Sequence, residues 1–373
     1  MDLSLSETQD MFKKVTADFV KAEVPAHQMT QWYKNKQTYQ PQLLRKAAEM
    51  GWLGMMLPEQ YGGAAVTATD CGVVFEELGR GPVPGPLFSS GILAAQIILE
   101  ACAEEQRKAL LPPLCKGDSI IVPAIPDKAA HWGAEAVETR LTKTADGYLM
   151  YGTKPFVFDA QAATSFLCAA RTEEGKVVFL LVDSKDPGVS ITPHTGFLVS
   201  MAEVRFNKVA VSPSALLGPS GAGWATLETA LEKALPILCA YQVGAAQEVF
   251  DFTCEYTRNR VVFGQPIGRF QRVQDHCVDI SIHLDAARWA TYETLWRLDN
   301  GMPARAAAHE AKAVASDGYY QATNYAHMVW AGPGTDYGHP MMAHSVLAHT
   351  LYQYLGTPAQ HKRLMMDALY PRG

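Results

Sequence analysis

Apolar residues recur every three to four positions through the first 117 residues, a spacing that predicts helices. Ser6 stands before an amphipathic run to Val24, where a capping serine belongs. A short helix is expected over Pro41–Gly51, because Pro suits the first helical position and Gly follows the last. Leu57-Pro-Glu-Gln-Tyr-Gly-Gly63 reads as a turn, followed by a helix through Phe75–Leu78. Gly79–Pro86 reads as a loop, and Ile92–Ala101 and Glu104–Leu111 return to helical spacing.

From about Ser119 the pattern changes. Short β-rich runs appear at Ile120–Val122, Ala136–Leu141, Tyr148–Tyr151, Ser165–Ala170, Val177–Val182 and Val204–Val211. Asp146-Gly147, Glu174-Gly175 and Asp186-Pro187-Gly188 punctuate them, so a compact β-barrel or sandwich is expected. After Gly218-Pro219-Ser220-Gly221 the helical period returns in long segments near 224–260, 269–299, 303–330 and 341–354. The expected fold class is α+β: an N-terminal helical domain over 1–117, a middle β domain over 118–218 and a C-terminal four-helix bundle over 219–373. The long apolar faces of the bundle predict an oligomer.

Composition narrows the function. A chain of 373 residues with 48% hydrophobic and 19% charged residues is globular and long enough for more than one core. Its net charge of −6 argues against nucleic acid as a partner. Seven cysteines, at 71, 102, 115, 168, 239, 254 and 277, form no CxxC pair and read as reduced thiols. Asp2, Glu7 and Asp10 stand where a signal peptide would need positive charge, and no run approaches ~18 apolar residues. A soluble, cytoplasmic protein without a membrane partner is expected.

Several chemistries are excluded by spacing. His339, His344 and His349 look like metal ligands, but a step of five turns each by about 140° on a helix and spreads them over different faces. GxSxG, HExxH and Walker motifs are absent. The GxG of Ala331-Gly332-Pro333-Gly334 follows a helix rather than a strand, so it is not a dinucleotide fingerprint. The stretch Arg258–Gln274, RNRVVFGQPIGRFQRVQ, says more. A guanidinium such as Arg260 beside a glycine break suits a phosphate. Phe263 can pack on a ring, and Gln271 can bond an adenine or ribose edge. The same residues also suit a polar connection between two helices.

The α–β–α order, the Leu57-Pro-Glu-Gln-Tyr-Gly-Gly turn, the segment from Arg260 to Gln271 and the late Tyr354-Leu-Gly-Thr357 together resemble the acyl-CoA dehydrogenase family over essentially the whole chain. That resemblance implies FAD shared at a subunit interface and an acyl-CoA thioester stacked on its ring. It also implies a glutamate that removes the α-proton, and electron transfer to an electron-transferring flavoprotein. Arg260 corresponds to the arginine that crosses to the FAD pyrophosphate, Phe263 and Gln271 to residues on the adenosine side, and Gly332 and Gly334 to a loop approaching the same cofactor.

The chain departs from the family where the chemistry happens. The commoner base position is occupied by Leu355, and the other registers on Ala234, with Leu235 in place of a substrate arginine. Glu232, two residues away, is turned about 200° around the helix. Flavin-facing motifs register on Ala124-Ile125-Pro126 and Phe156-Val157-Phe158, and two late polar positions on Met328 and Val346. General-base catalysis is worth ~10²–10⁴-fold, so loss of the base is severe. The pattern resembles the non-base subunit of bacterial α2β2 acyl-CoA dehydrogenases of the steroid side-chain type, with no catalytic residue of its own. A second, acyl-CoA dehydrogenase-like subunit would then hold most of the acyl-CoA. Two alternatives stay open: an active homo-oligomer with Glu232 as base, and a flavin-free binding or scaffold protein.

Overall fold

The protein is described by a computed structural model covering residues 4–35, 39–127, 133–194, 200–218 and 223–371. Asp2 and the turn residues Pro219–Gly221 lie outside the described residues. The chain divides into two compact units.

The first unit gathers residues 1–37, 67–83 and 235–373. It contains α1 (Glu7–Glu23), α2 (Ala26–Lys34) and α4 (Ala68–Arg80), the latter two flanking α3 (Pro41–Glu49) in the chain. Ser6 caps α1 in a reciprocal box with Gln9, and Thr67 caps α4 with Asp70. The second unit spans 38–66 and 84–234. It holds α3, α5 (Ala95–Ala101), α6 (Glu104–Cys115) and the β-sheet. Pro41 opens α3 as expected, and Gly51 follows it at φ 76°. Where a helix was expected from Ile92, the chain instead makes a π-helix over Ser89–Ala94 before α5.

The sheet has eight strands: β1 (Ile121–Ala124), β2 (Arg140–Lys143), β3 (Tyr148–Phe158), β4 (Ser165–Arg171), β5 (Val177–Asp183), β6 (Val189–Pro193), β7 (Met201–Val211) and β8 (Leu216–Leu217). Their order is β6-β7-β3-β2-β4-β5-β8, with β1 parallel to β4. The expected strand at Ala136–Leu141 begins only at Arg140, and a 3-10 turn occupies Ala134–Ala136. In β7 the buried and exposed alternation slips at Asn207–Lys208, where Lys208 takes φ 58° and the pairing to β3 skips a residue, a β-bulge. Lys154 is wholly buried in β3. Its ammonium donates to Ile125 O, Ala169 O and Asp127 Oδ2 at 2.9, 2.7 and 2.9 Å, so the charge is paired and its donors are used.

The remaining elements are α7 (Gly223–Asn259), the ribbon β9 (Val261–Val262) and β10 (Gln265–Pro266), α8 (Gln271–Asp299), α9 (Arg305–Trp330), α10 (Pro340–Gln353) and α11 (Pro358–Leu369). The chain is thus helical, then β, then helical. In the first unit α4 and α7 touch backbone to backbone. A Cβ on Gly79 would come within 2.0 Å of Tyr241 O, and one on Gly244 within 1.7 Å of Glu76 O. Asp299 at the end of α8 accepts from Ala68 N and Thr69 N at 2.7 and 3.1 Å, capping α4. Glu76 accepts from Arg288 at 3.1 Å and from the Tyr292 hydroxyl at 2.6 Å. No helix among the described residues is long and apolar enough to cross a membrane.

Candidate functional site

The segment Arg258–Gln274 is built from the end of α7 outward. Arg260 N still donates to Tyr256 O at 2.8 Å, and Arg260 O accepts from Ile267 N at 2.9 Å. Between them β9 and β10 pair as Val262↔Gln265, leaving Phe263 and Gly264 as a two-residue hairpin turn. Both turn residues have positive φ, 52° and 77°, as the favoured twist of such a hairpin requires. Glycine takes this conformation freely, but phenylalanine is strained there. Phe263 is nevertheless 92% exposed, its ring meeting that of Phe270 in a T-shaped pair with centroids 6.4 Å apart. Strain that places an aromatic ring in solvent points to a use outside the chain's own packing. Arg260 is exposed, and among the described residues none bonds or ion-pairs its guanidinium. Gln271 opens α8, also exposed.

The glycine loop arrives from α9. Ala331 turns at φ 51°, and Gly332–Thr335 forms a 3-10 turn. Gly334 is buried, and a Cβ there would press within 2.7 Å of Trp330 Cβ. Gly332 is different: a Cβ there would meet nothing within 4 Å, so internal packing does not account for this glycine. Trp330 anchors the loop by stacking on Tyr256 at 3.8 Å and donating Nε1–H to Thr253 at 3.1 Å. Tyr256 lies one turn before Arg260. The loop and the arginine therefore share the C-terminal end of α7.

The three histidines serve separate local bonds. His339 Nδ1 accepts from Met341 N at 3.1 Å and caps α10. His344 is buried against the Tyr319 hydroxyl at 2.9 Å, and burial pushes its pKa down to about 3. His349 donates Nδ1–H to Ser345 O at 2.7 Å. No group of three metal-capable side chains occurs among the described residues.

In the second unit the residues at the flavin-facing registers carry no hydrogen-bonding side chain. Ala124 ends β1 with no exposure, Val157 and Phe158 are buried, and Phe156 leans on His194 at 5.1 Å. Asp159 follows at φ 56°, buried, accepting from Ser89 Oγ at 2.5 Å. Burial pushes its pKa up to about 6.

The positions registered for a base hold none. Leu355 sits between α10 and α11, buried, in the left-handed conformation at φ 61°. Its carbonyl accepts from His361 Nε2 at 3.0 Å, while burial drives the His361 pKa down to about 2 and keeps the ring neutral. Lys312 Nζ, buried in the same unit, donates to Leu351 O at 3.2 Å. The loop keeps polar anchors but no carboxylate. Ala234 and Leu235 are wholly buried in α7, and Glu232 is half-buried. Met328 is 68% exposed on α9, and Val346 is half-buried on α10.

Sequence reasoning missed the Trp330–Tyr256 platform, since an aromatic pair far apart in the chain leaves no local pattern. It also missed the strained turn, although Phe-Gly between two short β-prone pairs was the available signal.

Two family models match the chain: the N-terminal domain of acyl-CoA dehydrogenase over residues 6–118 and its C-terminal domain over residues 221–370. The short-chain-specific acyl-CoA dehydrogenase of Megasphaera elsdenii is 27% identical over 371 residues, covering 96% of each chain. Among solved structures, butyryl-CoA dehydrogenase from Megasphaera elsdenii superposes with a TM-score of 0.90 at 25% identity, covering 99% of this chain and all of that one. A variant of the Tcur3481–Tcur3483 steroid ACAD does so with a TM-score of 0.86 at 26% identity, over 98% of both chains.

Proposed function

Because the chain belongs to the acyl-CoA dehydrogenase family, whose two domain models together span most of it, we propose that it is the non-base subunit of a heteromeric, FAD-dependent acyl-CoA dehydrogenase. The helical segment to residue 117, the β segment to 218 and the bundle from 219 are the parts we assign to it, in a cytoplasmic enzyme. The observation that carries the reading is an asymmetry. The buried Leu355 replaces a proton acceptor, while Arg260 and Phe263 stand exposed, with no described group bonded to the arginine's side chain.

The residues present fit one half of the cofactor. Arg260 suits the pyrophosphate, Phe263 and Gln271 suit the adenosine side, and Gly332 leaves its backbone open to approach. They do not fit the ring half, since Ala124, Phe156 and Phe158 can neither donate nor accept a side-chain hydrogen bond. The arm would therefore serve a flavin seated mainly in a neighbour. FAD bound at that interface would supply the hydride acceptor for α,β-desaturation of an acyl-CoA. The partner, a second acyl-CoA dehydrogenase-like subunit, would supply the carboxylate and hold most of the thioester. An electron-transferring flavoprotein would take the electrons. The likeness to an enzyme named for two chains, Tcur3481–Tcur3483, supports a divided assembly and a steroid acyl group.

Co-expression with a second chain of this family tests the proposal, read as flavin per protein and as acyl-CoA turnover. A chain colourless and inactive alone, but yellow and active with its partner, is the expected result. Turnover by the isolated chain would instead make Glu232 the base of a homo-oligomer. Absence of flavin with every partner would make it a binding or scaffold protein.

A further inference from the structure

Glu76 and Glu77 are neighbours on α4 and lie about 100° apart around the helix. Glu76 is fully engaged, with Arg288 and the Tyr292 hydroxyl on its two oxygens at 3.1 and 2.6 Å. Glu77 is not. It is only 7% exposed, and no group among the described residues donates a hydrogen bond to its carboxylate. The one described cation that reaches it, Lys13 Nζ, stands 4.0 Å away on a half-exposed side chain. A carboxylate taken out of water without a hydrogen-bonding partner is costly, so one kept in this state calls for an occupant that pairs it.

That carboxylate lines a cleft of about 500 Å³ wholly within the first unit, in the size range of small-molecule sites. Ala17 and Val20 of α1, Val24 just past its end, Met29 of α2 and Phe252 of α7 give the cleft apolar walls. The other charged groups of the lining are already paired or lie in water. Arg80 reaches Asp251 at 2.7 Å and Glu248 at 2.9 Å, so its guanidinium holds two carboxylates and Glu248 has its cation. Lys21 is exposed. His339 and His344 add no positive charge, because burial pushes both pKa values down. Burial also pushes the Glu77 carboxyl up, against the pull of Arg80 and Lys13. An anion in this cleft would find only the solvated Lys21, whereas a cation finds a desolvated carboxylate, where attraction is strongest.

We infer that this cleft binds a small organic ammonium, a protonated amine on an apolar body, with the ammonium on Glu77 and the body against Val20, Val24, Met29 and Phe252. None of Arg260, Phe263, Gln271, Gly332 and Gly334 lines it, so it is a second site, separate from the one proposed for the flavin.

Three probes with one body and different heads test this on the full-length protein in its isolated assembly. They are phenylbutylamine, phenylbutanol and phenylbutanoate, titrated by calorimetry at neutral pH. The amine should saturate one site per chain and bind at least about tenfold more tightly than the alcohol, since a charge-assisted bond outweighs a neutral one. The carboxylate should bind most weakly. Glu77→Gln, which keeps the shape and removes the charge, should lower amine affinity by roughly ten- to a hundredfold, to the level of the alcohol. Its affinity for the alcohol should stay within about twofold of the parent's. Ala17→Phe, which fills the cleft from α1, should abolish binding of both. Circular dichroism verifies folding, and the order of the three probes in the unaltered protein, with Ala17→Phe, decides the matter if Glu77→Gln does not fold. Equal affinity for all three probes, tightest binding of the carboxylate, no saturable binding of the amine, or unchanged amine affinity in either folded variant would each overturn the inference.

Discussion

The Trp330 indole lies flat on the Tyr256 ring, with centroids 3.8 Å apart and planes 14° from parallel. That stack joins the end of α9, where the glycine loop begins, to the last turn of α7, just past which Arg260 follows. An aromatic pair contributes ~0.5–1.5 kcal/mol beyond its buried area, and the Thr253 hydrogen bond adds about 1 kcal/mol. Trp330→Ala should destabilise the protein by roughly 2–4 kcal/mol and lower FAD affinity of the assembled complex by about three- to tenfold. Trp330→Phe, which keeps a ring but not the N–H, should recover most of the FAD affinity. Denaturation curves and flavin titrations read the two effects separately. A destabilised Trp330→Ala with full FAD affinity would remove Gly332 and Gly334 from the cofactor site.

Asp159 gives a pH prediction. Burial raises its pKa from 3.8 to about 6, so between those values the folded state holds a proton that the unfolded state has released. Its stabilising contribution is complete below about pH 4 and is lost as pH rises through 6. Asp159→Asn imitates the protonated acid, keeps the acceptor for Ser89 Oγ and tolerates the left-handed backbone. The variant should match the parent below pH 4 and exceed it above pH 6 by up to about 3 kcal/mol, at 1.36 kcal/mol per unit. Urea midpoints across pH 3.5–7.5 check this, and a constant difference at all pH values would contradict it.

Restoring a carboxylate should not create an active isolated chain. Leu355→Glu places an acid on a buried, left-handed loop, and Ala234→Glu places one in a fully buried helix position. Neither supplies the hydrogen bonds that Ala124, Phe156 and Phe158 cannot make. Stopped-flow assay of each purified variant with acyl-CoA and an artificial electron acceptor should show no turnover above the parent. Turnover in either would mean that the ring half of the flavin site survives.

Much of this was legible along the chain, because helices and strands announce themselves through local periodicity. The switch from helical spacing to paired β runs near residue 119, the capping Ser6 and the Pro41–Gly51 limits all depend on neighbours a few residues apart. The π-helix at Ser89–Ala94 and the bulge at Lys208 were not legible, since each answers packing or register imposed from distant strands. The candidate site divides in the same way. Arg260, Phe263 and Gln271 sit within one short motif, whereas Trp330 and Tyr256 become neighbours only after folding. The leucine at 355 was readable, but its left-handed backbone was not.

The outer face of α8 carries Val278, Ile282 and Trp289 at 56, 60 and 53% exposure, spaced by four and seven residues along one side of the helix. Apolar side chains aligned in this way suit an interface between subunits. Ile282→Arg combined with Trp289→Arg should weaken association by at least about a hundredfold while leaving each chain folded, as central aromatic contacts often do. Sedimentation velocity with circular dichroism reads this. An unchanged sedimentation coefficient would place the interface elsewhere.

The most direct measurement is the FAD affinity of the reconstituted two-subunit complex carrying Arg260→Ala, with assembly verified by sedimentation. A charge-assisted bond to phosphate contributes ~1.5–3 kcal/mol, so affinity should fall by roughly ten- to a hundredfold. Arg260→Lys should recover only part of it, because an ammonium cannot reproduce the two-pronged contact. Unchanged flavin affinity in a complex that stays assembled would contradict the account and make the Arg258–Gln274 arm a structural connection.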